Sequence, residues 1–298
     1  MALGCNCNAG LSNTGRPNCV PIQSVTSKLI MVPLFDADGN QNYIDLTAPV
    51  PNWIDLVNEA DATKRWFPLP NFENVELPKA DSQFEEANSG RMVFLRQGKR
   101  SFTGELWADD SSPTLLSKLQ NNRCVDFGVY IVDVNGSLVG SKVGDELYPI
   151  PVDNPSFDPK YMFATDSTTS KIMVAFDFDR LFDEGTMYMI TATEAGLDFN
   201  TLNGLIDVNF TATSTPGGGQ LSSVLLLDYG TAYNPIQFTG GVAADFSITI
   251  NGVAATFTSV TEGPTGTYLF LHAGTPGDEI LISVVKTGYT GSFGYTEP

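Results

Sequence analysis

The chain has 298 residues, 42% hydrophobic and 11% aromatic, which is enough apolar material for real cores and more length than one average domain uses. Two domains are therefore expected, and disorder is excluded as a class. Its 34 Asp and Glu against 16 Lys and Arg leave a formal charge of −18, which repels nucleic acid, argues against specific DNA binding, and suits a passage to which polyanions must not stick.

No apolar run reaches about 18 residues, so no membrane span is expected. The opening MALGCNCNAG sets Leu3-Gly4 before Cys5, but no basic and apolar regions fit ahead of it, so a signal peptide is rejected and a cytosol-like compartment is expected. In that setting Cys5, Cys7, Cys19 and Cys124 are expected as free thiols. Zinc on Cys5, Cys7 and Cys19 is the alternative, against an atypical C-x-C spacing and with the single histidine, His272, far away in sequence. No metal and no cofactor are expected. Residues 1–26 are polar and without periodicity, an extended arm that frays in a monomer and lies across a neighbour in an assembly.

Ser27–Phe35 reads as the first strong strand, turned at Asp36-Ala37-Asp38-Gly39-Asn40 into a partner over Tyr43–Leu46. The turn resembles the start of a calcium loop but lacks the later Glu, so a plain hairpin turn is expected. Asn52–Lys64 predicts a short helix capped by Asn52, with Trp53, Leu56 and Val57 on one face. Strand-like stretches follow over Phe72–Leu77 and Phe84–Asn88. Acid gathers here at Glu73, Glu76, Asp81, Glu85 and Glu86, ahead of the basic cluster Arg91, Arg96, Lys99 and Arg100. Solvated faces explain such blocks by default; complementary pairing between identical subunits is the sharper reading.

Arg91–Gly140 is the hub. Met92-Val93-Phe94-Leu95 reads as a buried apolar run, Gly98 as a turn, and Phe102, Gly104 and Leu106 alternate with polar residues as a strand with one wet face. Ser111 or Ser112 before Pro113 starts a helix whose stripe is Leu115, Leu116 and Leu119. Cys124–Val134 is a strand, and Asn135-Gly136 folds it back as a hairpin. Glu146–Tyr161, with Pro149, Pro151, Pro155 and Pro159, is expected as a loop or edge excursion. Lys171–Asp179, Thr186–Thr193 and Leu205–Thr213 predict further strands.

Thr213–Gly219 reads as a flexible linker, with the Gly-rich stretch at 214–219. Beyond it, residues 220–298 hold one Lys and no Arg, with short strands expected at Ser223–Leu227, Phe246–Ile250, Ala255–Val260, Tyr268–His272 and Ile280–Lys286 and a hairpin at Asn251-Gly252. That spacing predicts a small β-sandwich, with His272 as a strand residue rather than a ligand. The chain carries no P-loop and no G-x-S-x-G elbow, and one histidine cannot serve a triad with no plausible Ser or Cys partner. Adjacent acids such as Asp109/Asp110 and Glu85/Glu86 point to opposite faces of a strand. An enzyme is not expected.

The segment FSITINGVAATFTSVTEGPTGTYLFLHAGTPGDEILISVVKTGY is similar to bacterial Ig-like modules. With the β-rich hub before it, the chain resembles the major tail tube proteins of long-tailed bacteriophages, some of which carry a C-terminal Ig-like domain. The resemblance implies a mainly β fold: an antiparallel β-barrel or sandwich with one or two short helices over 27–213, and an Ig-like β-sandwich over 220–298. It implies hexameric rings of identical subunits that stack into a virion tail tube, assembled in the host cytoplasm. The partners implied are further copies, other virion proteins and genomic DNA passing non-specifically, with no membrane. The subunit-interface residues expected are Arg91, Arg96, Lys99, Arg100, Phe102, Glu73, Glu76 and Glu85. Other readings are a head-decoration, head-to-tail ring or fibre protein, or a carbohydrate-binding or adhesive module. The last would use Trp66, Trp107, Tyr229, Tyr233, Tyr289 and Tyr295 as exposed aromatics, with weak surface glycan contact through the C-terminal domain.

Overall fold

The computed structural model describes residues 14–15, 20–107, 110–231 and 233–298. Cys5, Cys7, Cys19 and Asp109, and most of the expected arm, lie outside the described residues. The protein is mainly β and divides into two compact units, Met1–Leu202 and Asn203–Pro298.

In chain order the first unit contains β1 (Thr26–Pro33), β2 (Ile44–Asp45), α1 (Trp53–Val57), β3 (Phe67–Pro68), β4 (Glu73–Glu76), β5 (Gln83–Glu86), β6 (Met92–Arg96), β7 (Ser101–Trp107) and α2 (Pro113–Asn121). It continues with β8 (Phe127–Asp133), β9 (Leu138–Val143), β10 (Glu146–Tyr148), β11 (Ile150–Pro151), β12 (Asp158–Met162), β13 (Lys171–Asp177), β14 (Met187–Ile190) and α3 (Ala192–Ala195). One sheet runs β2-β10-β9-β8-β1-β3, with β11 added to β8 and β14 to β9; a second runs β12-β13-β7-β4; β5 and β6 pair only with each other.

β1 and β8 are antiparallel neighbours, with Leu29 opposite Ile131 and Met31 opposite Val129. Their near-continuous apolar sequence reflects cover on both faces. Leu29, Met31, Val129 and Ile131 enter the main core together with Phe102 and Leu106 of β7 and Ile172, Val174 and Phe176 of β13. On the other face Tyr130 lies 5.2 Å from Trp66, which meets Trp53 of α1 at 5.7 Å, and Trp53 meets Phe199 at 4.9 Å. Trp53 Nε1 donates to the Ala195 carbonyl and Tyr130 Oη to that of Leu147, so neither buried polar tip is stranded. Lys28 of β1 is also buried, donating from Nζ to the carbonyls of Asn200 and Leu202 at 2.8 and 2.7 Å. Burial lowers its pKa, opposed by Asp110 and Asp198.

β7 and β13 alternate buried and wet residues, as one-sided strands do. α2 closes the core with Leu119 and with half-buried Leu115 and Leu116. Ser112 is its cap, accepting from Leu115 N, with Pro113 in the first turn. The helix expected over 52–64 stops at Val57. Beyond it Thr63 N donates to Asp61, and Arg65 donates to the carbonyls of Glu59 and Ala60, local bonds that compete with further helical turns. The Asp36 turn is a plain one: its carboxylate accepts from the N–H groups of Asp38 and Asn40. The strand expected over 186–193 ends at Ile190, where Thr191 and Glu194 form a capping box for α3.

The second unit holds β15 (Ile206–Ala212), β16 (Gln220–Leu227), β17 (Ile236–Gln237), β18 (Phe246–Ile250), β19 (Val253–Ala255), β20 (Ser259–Glu262), β21 (Thr267–Leu271), β22 (Glu279–Val284), β23 (Tyr289–Thr290) and β24 (Ser292–Thr296). It is a β-sandwich of two sheets, β20-β21-β16-β15-β23, with β17 on β16, and β19-β18-β22-β24. Its core holds Leu221, Leu225, Phe246, Ile248, Tyr268, Phe270, Ile280 and Ile282.

Two boundaries differ from expectation. The stretch 214–219 is not a linker between domains: it turns β15 back onto β16, with Thr211 opposite Val224, and the unit begins at Asn203. A run of Gly at 217–219, all at positive φ, serves a tight reversal as well as a loose tether. The single strand expected over 255–260 is two strands in opposite sheets, which lets the chain cross the sandwich after the Asn251-Gly252 hairpin.

His272 is buried beside Tyr295 and Glu297. Its Nδ1 accepts from Gly274 N, so the ring proton is on Nε2, which donates to Tyr295 Oη. The tyrosine hydroxyl is thereby free to donate toward Glu297, whose Oε1 accepts from Gly219 N. Burial lowers the His272 pKa below its ordinary 6.5, with Glu297 opposing, while burial and then Glu297 push Tyr295 up to about 12. Because the folded pKa of His272 is depressed, the unfolded chain takes the proton first, and stability falls as pH drops below about 6.5. Thermal unfolding of the second unit between pH 7.5 and 5 should show this loss, and His272→Gln should flatten it; an equally steep curve for the variant would remove the assignment.

Candidate assembly surface

β4 and β7 begin as ordinary sheet neighbours, with Glu73 opposite Glu105 and Glu76 opposite Thr103. The two chain segments then run on together past the sheet. Ser101 N donates to the Pro78 carbonyl, Lys79 bridges Arg100, and Ala80 N donates to the Lys99 carbonyl. β5 and β6 continue the ribbon, with Phe84 opposite Phe94 and Glu86 opposite Met92, and it turns at Ala87–Gly90 with Gly90 at φ +79°.

Gly98 is therefore not the turn expected of it. β6 and β7 are consecutive stretches of one side of the ribbon, and Gly98 marks the irregularity between them. A Cβ there would lie 1.6 Å from the Ala80 carbonyl oxygen, so only glycine lets the two strands approach.

The run Met92–Leu95, expected to be buried, is exposed. Phe84, Met92, Val93, Phe94 and Leu95 each keep between 43% and 57% of their surface open. The reason is topological: a ribbon with no sheet above or below has two wet faces. Phe84, Phe94 and Met92 lie on one face with Glu86; Val93 and Leu95 alternate onto the other with Glu85. The two phenyl rings meet edge-on at 5.6 Å.

Of the residues expected at a subunit interface, Glu85, Arg91 and Arg96 are exposed on this ribbon, and Glu73 and Glu76 are exposed on β4 of the sheet below it. Arg96 Nε donates to Gln83 at 2.7 Å. Lys99 and Arg100 have acids within their own subunit. Lys99 donates to Asp177, which also accepts from Ser101, and lies 3.6 Å from Asp153. Arg100 Nε donates to Glu184 at 2.7 Å. Burial opposes ionisation of Asp177, yet the bonds from Lys99 and Ser101 hold its carboxyl below the usual range; the Arg100 bond does the same for Glu184. Phe102 is a correction. It is fully buried, stacked on Phe176 at 4.9 Å and edge-on to Phe72 at 5.3 Å, because it faces inward on β7.

A cleft of about 450 Å³ opens at the base of the ribbon, lined in part by Gln83, Arg96, Lys99 and Arg180 with Asp81. Arg180, and the Phe84–Phe94 pair as a surface, went unnoticed in the sequence. No local signal separates this surface from a buried hairpin, because a neighbouring strand can come from far along the chain, as β13 does for β7.

Of the aromatics expected to be exposed for glycan stacking, Trp107, Tyr229 and Tyr233 are exposed and the other three are not. Trp66 is buried, Tyr289 packs edge-on to Phe238 at 5.1 Å, and Tyr295 is bonded to His272. Trp107 carries Lys171 Nζ over its ring at 5.6 Å and donates Nε1 to Glu105. Cys124 is an exposed free thiol. Among the described residues no three His, Cys, Asp or Glu side chains gather as metal ligands, and no helix is long and apolar enough to cross a membrane. Searches against protein-family models and curated proteins return no match.

Proposed function

We propose that the chain is a structural virion protein that associates with its own copies into stacked rings, the tube through which a phage tail conducts DNA. One observation carries this reading: the ribbon 80–100 exposes apolar side chains on both faces, and none of the described residues of its own subunit covers them. A monomer gains nothing from such a ribbon and risks aggregation by it.

Magnitudes favour many copies over a single pair. Covering five half-exposed side chains, at roughly 1.5–3 kcal/mol for each full burial, contributes about 4–8 kcal/mol. Association itself costs about 4–15 kcal/mol. One ribbon contact thus leaves little surplus, whereas a subunit that both gives and receives one gains twice in a closed or stacked array. The exposed glutamates and the charge of −18 fit a conduit that DNA must not adhere to.

Negative-stain electron microscopy across a concentration series tests the proposal. Stacked rings or hollow tubes are expected. Closed rings that never stack would make the protein a connector, and monomers at every concentration would end the self-assembly reading.

A further inference from the structure

The first unit has a second apolar feature that its own chain does not fill. A cleft of about 460 Å³ is lined by Met31, Phe35, Phe67, Val125 and Phe127, with Asp126 at its wall. It lies where β1 ends and where β8 and the short edge strand β3 begin. Phe35, Phe67 and Val125 are exposed there. Its volume is in the range that holds a ligand-sized group, and it shares no lining residue with the cleft at the ribbon base.

We propose that this cleft receives the ribbon tip of a second copy of the chain, with Phe84 and Phe94 entering among Phe35, Phe67 and Val125. The inference rests on the self-assembly reading and names the surface that the ribbon engages. Two observations choose this occupant. The molecule carries both an unpartnered apolar projection and an unpartnered apolar recess. The charges also match: among the described residues Arg91 at the tip has no acid partner in its own subunit, and Asp126 has no cation, its carboxylate holding the Asn154 amide.

The two surfaces are different parts of one subunit, so the contact is heterologous. Such a contact never completes itself in a pair; it closes into a ring or runs on as a filament. A ribbon packed with its Phe84–Phe94 face on the same face of another ribbon would instead be a self-complementary pair.

Mixing two defective variants separates these geometries. Phe84→Ser/Phe94→Ser destroys the projection and keeps the recess; Val125→Lys charges the recess beside Asp126 and keeps the projection. Both sites are exposed, and far-ultraviolet circular dichroism checks that each variant is folded. Each alone should be monomeric by sedimentation velocity, and an equimolar mixture, raised to about ten times the wild-type assembly concentration because a single contact lacks the gain of the array, should give a discrete dimer with twice the monomer mass and no longer species. Arg91→Asp should weaken assembly by about two- to five-fold, as an exposed ion pair does, and Asp126→Arg should restore it. If Val125→Lys polymerises like the wild type while the ribbon variant does not, the ribbon engages another surface: this inference falls and self-assembly stands. If the mixture stays monomeric although each variant is folded, the heterologous pairing is wrong. Wild-type protein that is monomeric throughout overturns both readings.

Discussion

Replacing Phe84 and Phe94 together with serine raises the protein concentration needed for assembly by about 100-fold, while the subunit stays folded. Each ring is half-exposed in the free subunit, so covering it in a partner gains about 1.5 kcal/mol. Two rings give about 3 kcal/mol per contact, and each 1.4 kcal/mol is a factor of ten. The subunit's own stability should move by less than about 0.5 kcal/mol, because neither ring touches the main core and surface substitutions of this kind are nearly neutral. Sedimentation velocity reads the first quantity and thermal unfolding the second. Unchanged assembly with an intact fold would show that the ribbon is not the contact.

Phe102→Ala has the opposite signature: it should cost about 3–5 kcal/mol of subunit stability, a fall in melting temperature of roughly 10 °C. The ring is fully buried between Phe72 and Phe176, and its removal opens a cavity that these neighbours fill only in part. The site is tight from the other direction too. A Cβ on Gly104 would come within 2.8 Å of both the Phe102 and Phe72 rings, so glycine is what lets three aromatics share this end of the core. A Phe102→Ala protein that melts like the wild type but fails to assemble would return the residue to the interface.

These two phenylalanine sites show what the sequence could and could not convey. Inward and outward positions along β7 were legible because Phe102, Gly104 and Leu106 alternate with polar residues, and a sheet with one wet face writes that period into its strands. The Ser112-Pro113 start of α2 and the Asn135-Gly136 reversal were legible for a related reason: each is a local backbone requirement met by local side chains. Met92–Leu95 was misread because four consecutive apolar residues look the same in a buried strand and in a ribbon with two bare faces; what distinguishes them is a missing neighbour, which no window of sequence contains. The Gly217–Gly219 run misled likewise. Glycine at positive φ serves a tight reversal as well as a loose tether, and only the pairing of β15 with β16 tells them apart. Acidic and basic blocks were visible, but Lys99 and Arg100 are answered by Asp177 and Glu184, some eighty residues away in the chain.

That pairing of β15 reaches further than a boundary. The strand lies inside its sheet, antiparallel to β16 on one side and parallel to β23 on the other, so the first strand of the sandwich is held by nearly the last. A cut at the glycines would not release a module. It would leave residues 220–298 with an empty slot between two strands, and the detached 206–212 segment is the one sequence already shaped to fill it. Copies crowded side by side could trade that strand, each completing its neighbour, and the short glycine reversal is what keeps the exchange within one chain.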